Sequence, residues 1–308
     1  MNQRTGRALR HLNMGNIRRN TWGPFAGRLK TPDQAPEPLR IALLESLAPG
    51  EHLQLPVFGP AQEVFDKRSK ATVLAVTDRG WIVASESKEQ QASVVRCDFS
   101  NTLLVQMTSI LLYGVLRIDF AAGGRAQQTA IYFNTVVRGL YQEAVHLILN
   151  GMDGVSAVTP VNCKEMTPLL DPLPLKFHNA VLEFVPMGQR VLAVVHWCAV
   201  FGRKRLWFRR ELAPQAMLAL TDRELLFISE EAAWRWMRPG QTPKYGSIAT
   251  HCPLSRIKSI QLNEHEELGT LDLELHAAQG GEKLKLQFPR ERKQAVEAFT
   301  EQAQAAAH

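Results

Sequence analysis

Two clusters of arginine, lysine and tryptophan are the residues of this sequence best suited to binding a ligand. The first reads Arg-Lys-Arg-Leu-Trp-Phe-Arg-Arg over residues 203–210, and the second reads Trp-Arg-Trp-Met-Arg over residues 234–238. Guanidinium groups donate paired hydrogen bonds to phosphate, and a tryptophan beside them can lie at a lipid interface or stack on a partner. The candidate ligand-binding residues are therefore Arg203, Lys204, Arg205, Arg209, Arg210, Trp234, Arg235, Trp236 and Arg238.

Three interpretations of these clusters are open at this point. Trp207 and Phe208 can belong to the core of a strand whose arginines form a solvated face. Alternatively, the clusters bind an anion or an anionic lipid, or they contact a protein partner.

The N-terminus is a second basic region. Residues 1–32 contain seven of the 36 Lys and Arg residues and no Asp or Glu, which leaves 29 basic and 30 acidic residues in the rest of the chain. Such an arm is a solvated tail, a docking segment for an acidic protein surface, or a contact to nucleic acid or an anionic membrane. Among partners, we favour protein over nucleic acid. The candidate docking residues are Arg4, Arg7, Arg10, Arg18, Arg19, Trp22 and Phe25.

Enzyme signatures are missing from the sequence. It contains no Walker-type phosphate loop and no GxGxxG, HExxH or GxSxG motif. Its four cysteines lie far apart, without a CxxC pair, so we expect reduced thiols and no metal site. His196 and Cys198 would share one face of a strand, which leaves a Cys–His dyad as the alternative to packed core residues. We predict no catalytic residue and no cofactor.

An internal repeat organises the chain. Residues 74–86 align with residues 218–230 at an offset of 144, with seven of thirteen positions identical. Matches upstream have an offset of 138, as between Gly50 and Gly188, and matches downstream have an offset of 155. The downstream matches are Cys97, Ser100, Gln106, Gly114, Leu116 and Phe133 with Cys252, Ser255, Gln261, Gly269, Leu271 and Phe288.

Each repeat is predicted to be a run of short strands closed by one helix. Short β-rich runs predict strands at 71–76, 81–85, 93–97, 103–107, 115–120 and 129–133. Alternation of apolar and polar residues is clearest in the second repeat, at 271–275 and 284–288. Thr77-Asp78-Arg79-Gly80, Gly123-Gly124 and Gly280-Gly281 predict hairpin turns. The spacing of Val137, Leu140, Tyr141, Ala144, Val145 and Ile148 predicts an amphipathic helix that ends at Asn150-Gly151.

The segments 218–230 and Pro253-Leu-Ser-Arg-Ile-Lys-Ser-Ile260 are similar to the bacterial PH-like (GRAM-related) family. The resemblance implies two tandem pleckstrin-homology barrels, each of about seven antiparallel strands plugged by a C-terminal helix. The expected divisions are a basic arm (1–38), a first PH-like domain (39–150), a Pro/Gly linker (151–175) and a second PH-like domain (176–308). The resemblance implies a binding module for proteins or anionic lipids, and it supplies no catalytic residue.

The function predicted from the sequence is a non-enzymatic adaptor in the bacterial cytoplasm. It would bind a protein partner through loops at the open barrel ends, barrel edges or the basic arm. The alternative is a peripheral membrane protein at the inner face of the membrane, whose second PH-like domain binds anionic lipid headgroups. A transmembrane helix is not expected, because the longest uncharged run, residues 100–116, is shorter than the roughly 20 residues that a span needs.

Overall fold

The computed structural model describes most of the chain, namely residues 25–64, 67–87, 92–155, 167–202, 211–230, 246–264 and 268–307. The first repeat consists of β1 (Gly27–Arg28), α1 (Glu37–Ser46), β2 (Leu53–Gly59), β3 (Glu63–Val64), β4 (Lys67–Arg68), β5 (Thr72–Thr77), β6 (Gly80–Glu86), β7 (Ala92–Asp98), β8 (Thr102–Ile110), β9 (Tyr113–Ala122), β10 (Arg125–Asn134) and α2 (Arg138–Met152).

The second repeat follows a short helix, α3 (Thr167–Leu170). It consists of α4 (Leu175–Phe184), β11 (Val191–Trp197), β12 (Val200–Phe201), β13 (Glu211–Ala213), β14 (Ala216–Thr221), β15 (Glu224–Glu230), β16 (Gly246–Pro253), β17 (Ile257–Glu264), β18 (Leu268–Ala277), β19 (Gly280–Pro289) and α5 (Lys293–Ala307).

The elements of the two repeats follow the offsets found in the sequence. Helix α1 begins at Glu37 and α4 at Leu175, and the later strands β8 and β17 begin at Thr102 and Ile257. The protein is mainly β, with antiparallel sheets and C-terminal helices, and the six predicted strands of the first repeat are confirmed. The hairpin turn between β18 and β19 was placed two residues too late, because Gly280 already begins β19.

Three main sheets are formed, and all their pairings are antiparallel. Their strand orders are β1-β2-β5-β6-β7, β10-β9-β8-β16-β15-β14-β11 and β17-β18-β19. Short ribbons pair β3 with β4 and β12 with β13. Among the described residues no sheet closes on itself, so the predicted closed barrel is not seen.

The seven-stranded sheet joins the two repeats. β8 of the first repeat pairs with β16 of the second, in a register that runs from Gly246 opposite Ile110 to His251 opposite Val105. The side chain of Gln106 donates a hydrogen bond from Nε2 to Thr250 Oγ1 at 2.9 Å. We call this pairing the seam. Because its hydrogen bonds form part of one sheet, the repeats share a continuous backbone ladder.

The C-terminal helix of the first repeat packs as predicted. Tyr141, Val145 and Ile148 of α2 are buried in the core cluster formed with strands of both repeats. The helix ends at Met152 rather than at Asn150. Gly151 lies within it, and a Cβ there would lie 2.3 Å from Cε2 of Phe99, so this glycine permits close packing.

Each repeat also begins with a helix that was not predicted from the sequence. Leu39 and Leu43 of α1 are completely buried against the outer face of the first sheet, beside Phe58 and Ile82. Phe177 and Val181 of α4 cover the corresponding face in the second repeat. Burial of each such side chain contributes about 1.5–3 kcal/mol, so these helices form part of the core.

The boundaries of the predicted arm and linker also differ from the structure. Gly27 and Arg28 pair with β2, and Leu29 is buried, so the packed part of the first repeat starts well before residue 38. In the predicted linker, Leu170 of α3 is buried in the core. The described part of each segment therefore contributes residues to the packed structure.

No helix in the described part of the chain is long and apolar enough to span a membrane. The uncharged run at residues 100–116 forms β8, the following turn and the start of β9.

Candidate binding surface

Most of the sequence-predicted binding residues lie outside the described residues. This holds for Arg203, Lys204, Arg205, Arg209, Arg210, Trp234, Arg235, Trp236 and Arg238, and in the arm for Arg4, Arg7, Arg10, Arg18, Arg19 and Trp22. Phe25 is described and is 41% exposed. The structure does, however, describe the residues that flank segments 203–210 and 231–245, which contain the two basic clusters.

The two ends of segment 231–245 are held together by a lysine at the start of α4. Lys176 Nζ donates to Glu230 Oε1 at 2.8 Å and to the carbonyl of Gly246 at 3.3 Å. Gly246 lies opposite Ile110 in the seam. Segment 231–245, which carries the second cluster, therefore leaves and rejoins the sheet beside the turn that follows Ile110.

That turn exposes two adjacent large apolar side chains, although Leu175 (74%) and Met187 (75%) are individually more exposed. Leu111 and Leu112, between β8 and β9, are each 67% exposed. Val136 nearby is also 67% exposed, and Tyr132 is 40% exposed. Tyr132 stacks on Tyr113 with ring centroids 5.9 Å apart. We call Leu111-Leu112 the leucine turn, and these leucines with Tyr132 and Val136 the leucine-turn surface.

The leucine turn is held in an unfavourable backbone conformation. Leu111 has φ 51° and is the only non-glycine residue with positive φ in the described part of the chain. Thr135 braces the turn, since its Oγ1 donates to the Leu111 carbonyl at 2.5 Å and its N–H to the Leu112 carbonyl at 3.1 Å. Such strain costs on the order of 1–2 kcal/mol. Two large apolar side chains are thus fixed facing water.

The second repeat shows that the fold does not require these leucines. At the offset of 155, Leu111 and Leu112 correspond to Glu266 and Glu267 in the sequence. Tyr132 corresponds to Gln287, and Val136 corresponds to Glu291. The first repeat is therefore apolar at four positions where the second is polar or charged. This difference could have been read from the aligned repeats, and sequence reasoning missed it.

The described cations around the leucine turn are paired with carboxylates. Arg138, two residues after Val136, forms an ion pair with Glu183 at 2.7 Å. Lys176 forms the ion pair with Glu230 described above. The described surface around the turn is thus apolar with balanced charge, not strongly cationic.

In each His–Cys pair the histidine contacts other residues, and Cys198 is exposed just after the end of β11. His196 Nε2 is hydrogen-bonded to the amide of Gln215 at 3.0 Å, and its ring packs against Phe177. His251 pairs through Nδ1 with Glu224 Oε2 at 2.9 Å, with both side chains buried. Burial raises the pKa of the Cys252 thiol far above its usual range, which makes this thiol a poor nucleophile.

Further titratable groups lie between α2 and the second repeat. Burial, together with the neighbouring His251, lowers the pKa of His146 to about 4. Burial raises the pKa of Asp153 to about 6, with Glu224 adding to the shift. Among the described residues, no group of His, Cys, Asp and Glu is arranged to hold a metal ion.

The Thr-Asp-Arg motif is a structural feature of both repeats. Thr77 Oγ1 accepts hydrogen bonds from the N–H groups of Arg79 and Gly80, at 3.1 and 3.0 Å. The Asp78 carboxylate accepts from the N–H of His52 at 3.0 Å, so it ties the hairpin to the preceding loop rather than to its own turn. Thr221 and Asp222 make the corresponding contacts in the second repeat.

Comparison with known proteins adds no family to this description. No protein-family model matches the chain, and no curated protein matches it.

Proposed function

We propose that the chain is a non-enzymatic adaptor of the bacterial cytoplasm, built from two PH-like modules, which binds a protein partner through the leucine-turn surface. The observation that carries this proposal is the pair of leucines, each 67% exposed, in a strained turn. Soluble proteins rarely expose grouped apolar side chains without a binding role. In the sequence of the second repeat the aligned positions are Glu266 and Glu267, so we attribute the leucines to binding rather than to folding.

The PH-like assignment rests on the repeated order of elements. In each repeat four consecutively paired strands are followed by three more and then by a C-terminal helix. These strands are β2-β5-β6-β7 and β8-β9-β10 in the first repeat, and β11-β14-β15-β16 and β17-β18-β19 in the second. This order supports the resemblance given by the Thr-Asp-Arg and Pro-Leu-Ser motifs. The cytoplasmic assignment is supported by the thiols, since Cys97, Cys198 and Cys252 are all free.

A protein partner fits the described surface better than a membrane does. Arg138 and Lys176, the cations that the structure describes beside the leucine turn, are paired with Glu183 and Glu230, so they offer little attraction to anionic headgroups. An apolar centre with a balanced polar rim is typical of protein interfaces. The second cluster, entering beside Gly246, would supply arginine and tryptophan, the residue types enriched among binding hot spots.

The second candidate is a peripheral membrane protein that binds anionic lipid. It is favoured by the projecting position of Leu111 and Leu112, which follow Ile110 opposite Gly246, and by the sequence Trp-Arg-Trp-Met-Arg in the segment that precedes Gly246. In this case the leucines would enter the acyl region and the arginines would bind phosphate groups.

The test compares the wild type with the double variant L111E/L112E, which carries the residue types of the second repeat. The control is L192E, because Leu192 is also partly exposed, at 37%, and lies on β11 at the far end of the same sheet. A partner captured by the wild type is purified, and its affinity is measured by titration calorimetry. We expect the affinity to fall at least about tenfold in L111E/L112E and to be unchanged in L192E.

Vesicles of phosphatidylglycerol and phosphatidylethanolamine distinguish the two candidates. Salt-sensitive co-sedimentation that is lost in L111E/L112E would establish the membrane function. Retention of full partner affinity in L111E/L112E would refute a role for the leucine turn.

A further inference from the structure

We infer that copies of this chain associate head to tail, with β17 of one copy pairing along the edge of β7 of the next. The inference is independent of the leucine turn. It rests on the seam, in which β8 of the first repeat completes the first sheet of the second repeat. Each of these two strands has a counterpart in the other repeat, and both counterparts lie at sheet edges.

The counterparts follow from the offset of 155. β16 corresponds to β7, and β8 corresponds to β17. Within the described residues, β7 pairs only with β6, and β17 pairs only with β18. Each chain therefore has one edge strand, β7, that is equivalent to β16 of the seam, and one edge strand, β17, that is equivalent to β8. Strand edges that pair with no further strand are templates for another strand, and on β17 the Ile260 carbonyl, which accepts from Gln304 Nε2 of α5 at 3.2 Å, would exchange this partner on association.

The register of the seam predicts which residues would meet. Ala249 lies opposite Met107, and both side chains are buried, at 0% and 1% exposure. Their counterparts are Val94 on β7, which is 38% exposed, and the partly buried Leu262 on β17. A second copy would cover this apolar pair in the way that the seam covers Ala249 and Met107. This contact would explain why Val94, an exposed residue of the edge strand β7, is apolar.

The pairing is heterologous, because it joins two different edges. A heterologous contact leaves one β7 edge and one β17 edge free in every dimer, so it continues into chains or closes into rings. Six residue pairs make a small interface, so we expect weak association with a Kd on the order of 10–100 µM. The expected observation is an average mass that rises with concentration beyond that of a dimer.

The experiment uses two single variants of the full chain, V94K and L262K. A lysine at the centre of an edge strand opposes pairing with another strand, so each variant alone should remain monomeric by sedimentation velocity. An equimolar mixture still contains one intact interface, formed by β17 of the V94K chain and β7 of the L262K chain. The mixture should therefore form a heterodimer and nothing larger.

Thermal unfolding verifies that both variants are folded. L111E/L112E is the matched control, because it alters the proposed partner surface and should leave self-association unchanged. Conversely, V94K should retain partner binding. Failure of the self-association proposal can therefore be distinguished from failure of the partner-binding proposal. A wild-type chain that stays monomeric up to its solubility limit overturns the inference. So does self-association that persists in V94K or L262K, or a mixture of the two that stays monomeric.

Discussion

Gly114 lies against the ring of Phe133 so closely that a Cβ on the glycine would be 2.3 Å from Phe133 Cε2. The second repeat contains the same relationship, with a Cβ on Gly269 placed 2.2 Å from the Phe288 ring. Both phenylalanines are buried. The matching Gly and Phe positions of the two repeats are thus explained by packing between adjacent strands, and they need no functional role.

The first prediction follows from this contact. The variant G114A should lower the free energy of unfolding by about 1–3 kcal/mol, because a buried ring must move to admit the methyl group. Urea denaturation monitored by circular dichroism measures the change. The control is G139A in α2, where nothing lies within 4 Å of the added Cβ. This change should be neutral or stabilising by up to about 1 kcal/mol. Equal effects of the two substitutions would contradict the packing explanation.

The second prediction concerns the opposite pH responses of His146 and Asp153. The pKa of His146 falls from 6.5 to about 4 on folding, so in this interval the unfolded chain binds the additional proton and stability rises with pH. The pKa of Asp153 rises from 3.8 to about 6, so in this interval the folded chain binds the additional proton and stability falls with pH. The two groups act against each other over nearly the same range.

We therefore expect D153N to make stability rise more steeply with pH than in the wild type, and H146Q to make it rise less steeply or fall. Chemical denaturation at several pH values between the two folded-state pKa values gives the slopes. Parallel pH profiles for wild type and both variants would show that neither group titrates as its burial implies.

Local patterns in the sequence were sufficient to predict the six strands β5 to β10, but not β2 (Leu53–Gly59), the exact turn between β18 and β19, or the pairing between the repeats. Strands such as β18 and β19 alternate apolar and polar residues, so each can be recognised alone. The pairing of β8 with β16 joins residues more than a hundred positions apart, such as Val105 and His251. No local pattern records which edge such a strand will meet, so the seam could be found only in the structure.

The missed helices α1 and α4 have a different explanation. Each is only ten residues long and buries a short stripe, such as Leu39 and Leu43 in α1. Each follows a proline, Pro36 or Pro174, within a stretch whose composition is typical of a linker. Proline is also favoured at the start of a helix, and in both repeats the proline marks a helix start and not a linker.

The leucine turn was within reach of sequence reasoning. Alignment of the repeats places Leu111 and Leu112 opposite Glu266 and Glu267. Both leucines lie in the uncharged run of residues 100–116, between the strands predicted at 103–107 and 115–120. The alignment shows the difference in residue type, but it does not show that the leucines are exposed or that Leu111 has a positive φ. Both properties are seen only in the folded chain.

The third prediction addresses the cooperativity of the two repeats. Because β8 and β16 share one sheet and the core formed around α2 includes residues of both repeats, we expect a single unfolding transition. M107A, which truncates a buried side chain of the seam, should lower the stability of the whole chain by about 2–5 kcal/mol. Differential scanning calorimetry tests this, with V94A, at the exposed counterpart of Ala249, as control. Two transitions, of which M107A shifts only one, would show that the repeats fold independently.

The fourth prediction concerns how much of the N-terminus the fold requires. Leu29 is buried, Gly27 and Arg28 pair with β2, and Arg28 forms an ion pair with Glu143 of α2. Removal of residues 1–32 should therefore cost about 2–3 kcal/mol from the lost burial of Leu29 alone, and should lower the melting temperature by several degrees. Removal of residues 1–24 leaves all these contacts in place and should leave the melting temperature within about 2 °C of the wild type. Thermal unfolding of the two truncations side by side measures the difference. If both melt like the full chain, the strand β1 and Leu29 contribute nothing to stability; if both are destabilised, residues before 25 are also required for folding.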